Sequence, residues 1–233
     1  MKSARRAEDQ LLRTDLDPDG AEDPEPRWQA LLALLALGGL HAILPSWLLV
    51  AGSPWLLLVI VSVLLVPTVV AHRRGAHSVN QLLGFVVNGV VTTAMVWSLA
   101  MLIASLPDHR ETPQELLRSA AVLWVSNILV FASWYWRLDA GGPHQRDLTA
   151  GHTDGAFLFP QMTMPPEAKR AANEQAWTPN FVDYLFLAFN TSTAFSPTDS
   201  PVLSRWAKVL MMIQATISLL VIALLAGRVV NIL

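Results

Sequence analysis

From Trp28 to Val70 the chain contains no Asp, Glu, Lys or Arg, and His41 is the lone titratable group in that run. A helix on the surface of a water-soluble protein keeps a polar stripe, and this run has none. About 20 apolar residues are what an α-helix needs to cross roughly 30 Å of hydrocarbon. The run is long enough for two crossings, and it is broken at Leu44-Pro45-Ser46 and again at Gly52-Ser53-Pro54. We therefore expect one helix over 28–50 and a second over 54–71, with Pro67 a candidate kink in the second. Composition agrees, because the 233 residues are 53% hydrophobic and 15% charged, where a soluble domain carries about 25% charged residues.

The remaining chain repeats the pattern. The basic connection His72–His77 leads to a third apolar stretch over 79–106, and a short mixed loop precedes a fourth over 113–136. The fourth ends in Trp134-Tyr135-Trp136-Arg137, aromatic residues beside a charge, as expected where a helix leaves the bilayer. Residues 138–178 are polar and rich in Gly and Pro, without a helical period, and read as a long connecting loop. Phe181–Phe195 begins apolar and ends polar, and a final apolar helix runs over 205–233. The fold class expected is all-α: a polytopic transmembrane bundle of four helices, a short pore-like helix or hairpin, and a long final helix. The chain divides into an acidic tail (1–27) with little fixed structure, a four-helix region (28–137), a polar loop (138–178) and a terminal unit (179–233). The tail is too long and acidic for a cleaved signal and is read as retained. Arg73 and Arg74 in a short loop place that loop, and with it the N-terminus, on the cytoplasmic side of the plasma (inner) membrane.

Polar residues in hydrocarbon face other helices or water. Asn80, Gly84, Asn88 and Thr92 recur every fourth residue and share a helix face, flanked by Gln81 and Thr93. Such a stripe serves either helix packing or the lining of a wet cavity. Ser119, Ser126 and Ser133, with Asn127 beside them, form a packing-like row, and Gln214 and Ser218 share a face of the last helix. His41 is read as a packed core histidine, and His144, His152, Asp147 and Asp154 as loop polarity. No cysteine is present, and no membrane helix shows metal-ligand spacing. Phosphate-loop, nucleophile-elbow and zinc-protease motifs are missing too, and Asp183 has no evident partner for acid–base work. The expectation is a protein without catalytic residues, metal or cofactor.

Asp183–Pro201 followed by Arg205 has the order of a short aromatic helix, a Thr/Ser-rich strip, an Asp and a Pro, then a spanning helix. This order resembles the pore module of the potassium-channel superfamily. The resemblance implies that Thr193 stands at the filter-threonine position and Asp199 near the acidic position after the filter. Phe195 and Pro197 occupy the places of the filter glycines, which lets no stacked carbonyl filter form. Trp134–Pro143, Phe157–Gln161 and Ala194–Asp199 also resemble a family of uncharacterised bacterial integral membrane proteins, some with channel-like labels. The function implied is ion conduction through a homo-oligomeric pore lined by Asn190, Thr191, Ser192, Thr193, Ser196, Thr198, Asp199, Gln214 and Ser218. A small-solute carrier or small-molecule-binding membrane protein, with its cavity between the third helix (Asn80, Asn88, Thr92) and the final one (Gln214, Ser218), is the alternative, and a non-conducting scaffold recruiting a partner is a third. With the N-terminus inside, either 28–71 is not two full spans, or the hairpin enters from the cytoplasmic face, or 181–197 crosses completely as a fifth helix, the last two being favoured over the first.

Overall fold

The structure, a computed structural model, describes residues 25–105, 112–148, 155–172, 177–195 and 200–229. In chain order the helices are α1 (Trp28–Ile43), α2 (Leu56–Arg73), α3 (His77–Ser105), α4 (Pro113–Leu138), the short α5 (Pro143–Leu148), α6 (Pro160–Thr163) and α7 (Pro166–Ala171), then α8 (Phe181–Ala194) and α9 (Arg205–Val229). Among the described residues, α2, α3, α4 and α9 are long and apolar enough to cross a membrane. The chain is a multi-pass, all-α membrane protein. Its outward face agrees, since Val59, Val63, Val66, Leu82, Val209 and Met212 are exposed as lipid contacts would be.

The first helix is shorter than its apolar run. It ends at Ile43 rather than near residue 50, because Pro45 disfavours helical geometry at Leu44, which is extended at ψ 151°. Two tight turns, Ser46–Leu48 and Val50–Gly52, complete the passage to α2. At about 24 Å, α1 falls short of the full hydrocarbon thickness by itself. Pro67 is accommodated inside α2, where Thr68 Oγ1 donates to Leu64 O at 2.7 Å. Small residues set the helix separations: a Cβ on Gly38 of α1 would lie 2.9 Å from the Leu58 Cα of α2.

The segment 138–178, expected as a polar loop, is folded over the described parts. Ala140, Gly141 and Gly142 all take positive φ, which reverses the chain at the end of α4. Phe157 is buried and forms an antiparallel bridge with Val202. Leu158 N donates to Pro201 O at 3.0 Å and Leu203 N to Ala156 O at 2.8 Å. Phe157 packs edge-on against Tyr135, Tyr184 and Trp206 at 5.2, 6.2 and 6.1 Å between ring centroids. Polar composition hid this anchor, since the aromatic residues that supply the burial are few.

That anchor fixes the path of the terminal unit. Tyr184 near the start of α8 and Trp206 near the start of α9 both touch Phe157, so the two helices begin at the same end of the bundle. One to two turns further on, Gln214 of α9 meets Ala188 and Ser192 of α8, so they run parallel. Helix α8 is about 21 Å long, and Ser192 lies only about half-way along α9. It enters from the end at which α1 starts and stops inside, while by Val202 the chain is back beside Phe157. The hairpin is therefore re-entrant and α8 is not a fifth crossing. Its N-terminus is closed by a capping box in which Asn180 N donates to Asp183 Oδ2 at 2.8 Å. The partner that the sequence did not offer Asp183 is thus local backbone.

Candidate functional site: a cavity at the basic end of the bundle

One end of the bundle gathers most of the described charge. Glu25, just before α1, is buried and accepts from Arg146 Nη2 of α5 at 2.8 Å, with a second, very short bond from Trp136 Nε1. Arg146 also donates to the carbonyls of Trp136 and Asp139 at 2.8 and 3.0 Å. Arg27 pairs with Asp147 at 2.6 Å and lies 2.6 Å from His72 Nδ1 at the end of α2. Asp139 accepts from Tyr184 Oη at 2.6 Å and Ala156 N at 2.5 Å. Burial raises the Glu25 carboxyl above its ordinary range, against the opposing pull of Arg146 and the Trp136 N–H. His144 stacks on His77 with ring centroids 3.4 Å apart. Burial, then the neighbouring charge of His77, lowers the His144 ring below its usual value.

Inside this polar shell lies a cavity of about 220 Å³ between α1, α2, α3 and α4. Leu34, Leu65 and Val87 give it an apolar depth; Arg27, His72, Arg73, Asn80 and Arg137 give it a basic end, and no acid among the described residues lines it. Half-buried Leu31 and Val69 form its side between α1 and α2. Arg137 extends from the last turn of α4 across to α3. Its space there exists because residue 84 is glycine: a Cβ at Gly84 would lie 1.9 Å from the Arg137 Cζ. A second hollow of about 210 Å³, bordered by His77, Gln81, Pro143 and Gln145, reaches the same guanidinium from outside. No group of three or more His, Cys, Asp and Glu residues suited to a metal occurs among the described residues.

The residues singled out from sequence separate into three places. Asn80 lines the cavity, with its Nδ2 donating to Thr68 O at 2.8 Å. Thr92 donates to Asn88 O at 2.6 Å and accepts from Trp134 Nε1 at 2.9 Å, and Asn88 is buried with neither amide atom bonded. Neither lines the cavity; both lie in the packing seam of α3. Thr191, Ser192, Gln214 and Ser218, expected to line a path, are fully buried within the single chain. Gln214 accepts from Tyr135 Oη at 2.5 Å and donates to Ala188 O at 2.7 Å and Ser192 Oγ at 2.8 Å. Asn127 donates to Ser218 Oγ at 2.8 Å, and Thr191 to Leu187 O at 2.8 Å. These groups are occupied by one another, as a hydrocarbon setting demands of polar atoms. At the tip of α8, Asn190 is half-buried and Thr193 exposed. Ser196, Thr198 and Asp199 lie outside the described residues.

Sequence reading passed over Arg137 as an interfacial charge beside an aromatic belt. The signal available was Gly84, a small residue in the polar stripe at the membrane level where α4 ends. Comparison with protein-family models, curated proteins and solved structures finds nothing that matches this chain.

Proposed function

We propose that this chain is a solute-binding protein of the plasma membrane that receives a small amphiphile in the cavity between α1 and α4, with its basic end on the cytoplasmic side. One observation carries the reading: an interhelical cavity with apolar depth and a polar, basic mouth, bounded by spanning helices. Pockets between helices with mostly apolar walls and a few convergent polar groups are the usual form of small-molecule sites. The basic residues gathered at that end support a cytoplasmic placement. Four of the pore-lining residues, Thr191, Ser192, Gln214 and Ser218, offer less, because their polar groups are spent within one chain.

The test is saturable binding of a fluorescent single-chain monoacylglycerol to the purified protein in micelles. Val69→Trp, which fills the cavity from a half-buried position, is expected to weaken binding by about tenfold or more. Saturable binding that Val69→Trp leaves unchanged would place the ligand elsewhere and sink the reading.

Conduction by a homo-oligomer is a second reading, and the end of α8 is the observation that favours it. The helix stops mid-way through the bundle at Phe195, in the left-handed region with φ 55°, and Thr193 and Phe195 are exposed there. A helix end at that depth needs cover from protein or contact with water, and a symmetric assembly supplies either. Proteoliposome flux under separate sodium, potassium, proton and chloride gradients tests it. On this reading, flux exceeds that of empty liposomes and Thr193→Ala alters it; background-level flux for every ion would remove conduction.

A further inference from the structure

Arg137 is buried, and no acid among the described residues pairs with it. Only 6% of it is exposed, and its Nε has no hydrogen-bond partner. Its Cζ sits 5.2 Å from the Trp136 ring centroid, a contact with the electron-rich face. The charged groups that act on it are Arg27 and Arg146. Those two arginines are neutralised by Asp147 and Glu25, and the buried Asp139 carboxylate is turned to Tyr184 Oη and Ala156 N, so no acid among the described residues pairs with Arg137. Removing a charge from water without a counter-charge is costly, and the usual resolution is a partner with complementary hydrogen bonds. Here the guanidinium borders the cavity on one side and the outer hollow on the other. An incoming anion has both room and access.

We infer that Arg137 binds the oxyanion head of the amphiphile, a phosphate or carboxylate, while its chain lies along Leu34, Leu65 and Val87. This rests on the cavity reading above and adds its ligand class. The chemistry follows from the planar guanidinium fork, whose parallel N–H groups match two oxygens of a phosphate or carboxylate. Basic pockets between transmembrane helices near a cytoplasmic surface suit anionic head groups for the same reason. The apolar depth favours an amphiphile over a free ion, since a free ion leaves those walls without contact. Gly84 acts as a positioning residue: any side chain there displaces the guanidinium from the cavity wall.

The experiment compares two fluorescent probes with the same acyl chain, lysophosphatidic acid and monoacylglycerol, on the purified full chain in micelles. Wild type is expected to bind the phosphate probe about tenfold tighter than the neutral one. Arg137→Gln is expected to abolish that preference while leaving the monoacylglycerol affinity within about twofold, and Arg137→Lys to keep part of the preference. Inorganic phosphate is the third arm. Displacement of the phosphate probe at millimolar phosphate, on the order of a weak site, supports oxyanion recognition and assigns it to a soluble ion. Failure to displace assigns it to a membrane amphiphile. Equal affinity of wild type for the two probes overturns the inference and leaves the cavity reading standing, and so does a preference that survives Arg137→Gln. Saturable binding of neither probe overturns both. The wild-type comparison needs no variant, so a poorly folding Arg137→Gln does not rescue the idea.

Discussion

Arg146→Met is expected to destabilise the folded protein by about 3–5 kcal/mol, the range for removing one partner of a buried ion pair. The residue is 5% exposed, and its side chain makes an ion pair, two carbonyl hydrogen bonds and a contact over the Tyr184 ring at 5.1 Å. Its loss strands Glu25 as an uncompensated charge. The measurement is reversible unfolding of the purified protein in mixed micelles, followed by tryptophan fluorescence. Glu25→Met combined with Arg146→Met should recover much of the deficit, because two apolar side chains of similar length carry no desolvation penalty. A double variant no more stable than the single one would show that the carbonyl bonds, rather than the ion pair, set the cost.

The same variant carries a pH signature. The folded-state pKa of Glu25 is raised above 4.5 by burial, against Arg146. A carboxyl with a raised folded pKa binds its proton more tightly in the folded state. Stability therefore falls as pH rises from about 4.5 through the folded pKa, and is regained on acidification. Removing Arg146 takes away the main opposing influence and raises that pKa further. The deficit of Arg146→Met should then shrink steadily as pH is lowered toward 4.5. A deficit constant across that range would mean that Glu25 stays ionised in the variant, or leaves the interior.

The second large effect is expected at Gln214, where α4, α8 and α9 meet. Gln214→Leu keeps the volume but removes three side-chain hydrogen bonds and leaves the buried Tyr135 hydroxyl unpaired. Hydrogen bonds between membrane helices average about 0.6 kcal/mol and reach about 1.7, so the three together are worth about 2–5 kcal/mol. Tyr135→Phe in the same background should restore part of this, since it deletes the stranded donor. Unfolding of Gln214→Leu within about 0.5 kcal/mol of wild type would fall below that range. It would deny the network its structural role and return Gln214 to consideration as a lining residue.

The contrast between Gln214 and Arg137 shows how far polar residues in a membrane sequence can be interpreted. Both stand out by residue type against apolar surroundings. The sequence pattern suggested a path at Gln214 and an interfacial charge at Arg137; in the structure Gln214 is hydrogen-bonded inside the bundle, and Arg137 is buried beside a cavity. Gln214 is satisfied because two helices, α4 and α8, bring it a phenol hydroxyl, a carbonyl and a serine. Arg137 is left without an acid among the described residues because Glu25 and Asp147 are taken by other arginines and Asp139 accepts from Tyr184 and Ala156 N. Saturation of a polar group depends on which partners arrive from elsewhere in the chain, and spacing along one helix is silent on that.

Properties that depend on consecutive residues were legible from sequence alone. The apolar runs that become α2, α3, α4 and α9, the presence of a break near Pro45 and the clustering of basic residues at one end arise within a few turns of chain. Hydrocarbon thickness and helix rise convert them directly into spans. Even the short, polar-ended helix over 181–194 showed itself by its composition. Tertiary structure alone decided how deep that helix enters, because the depth is set by Phe157 holding Tyr184 and Trp206 at one level. It also decided the meeting of Gly84 with Arg137 and of Glu25 with Arg146, across 53 and 121 positions of chain. The physical reason is the same in each case: a cavity, an ion pair or a buried network is a balance of desolvation against partners, and the partners come together only when the helices pack.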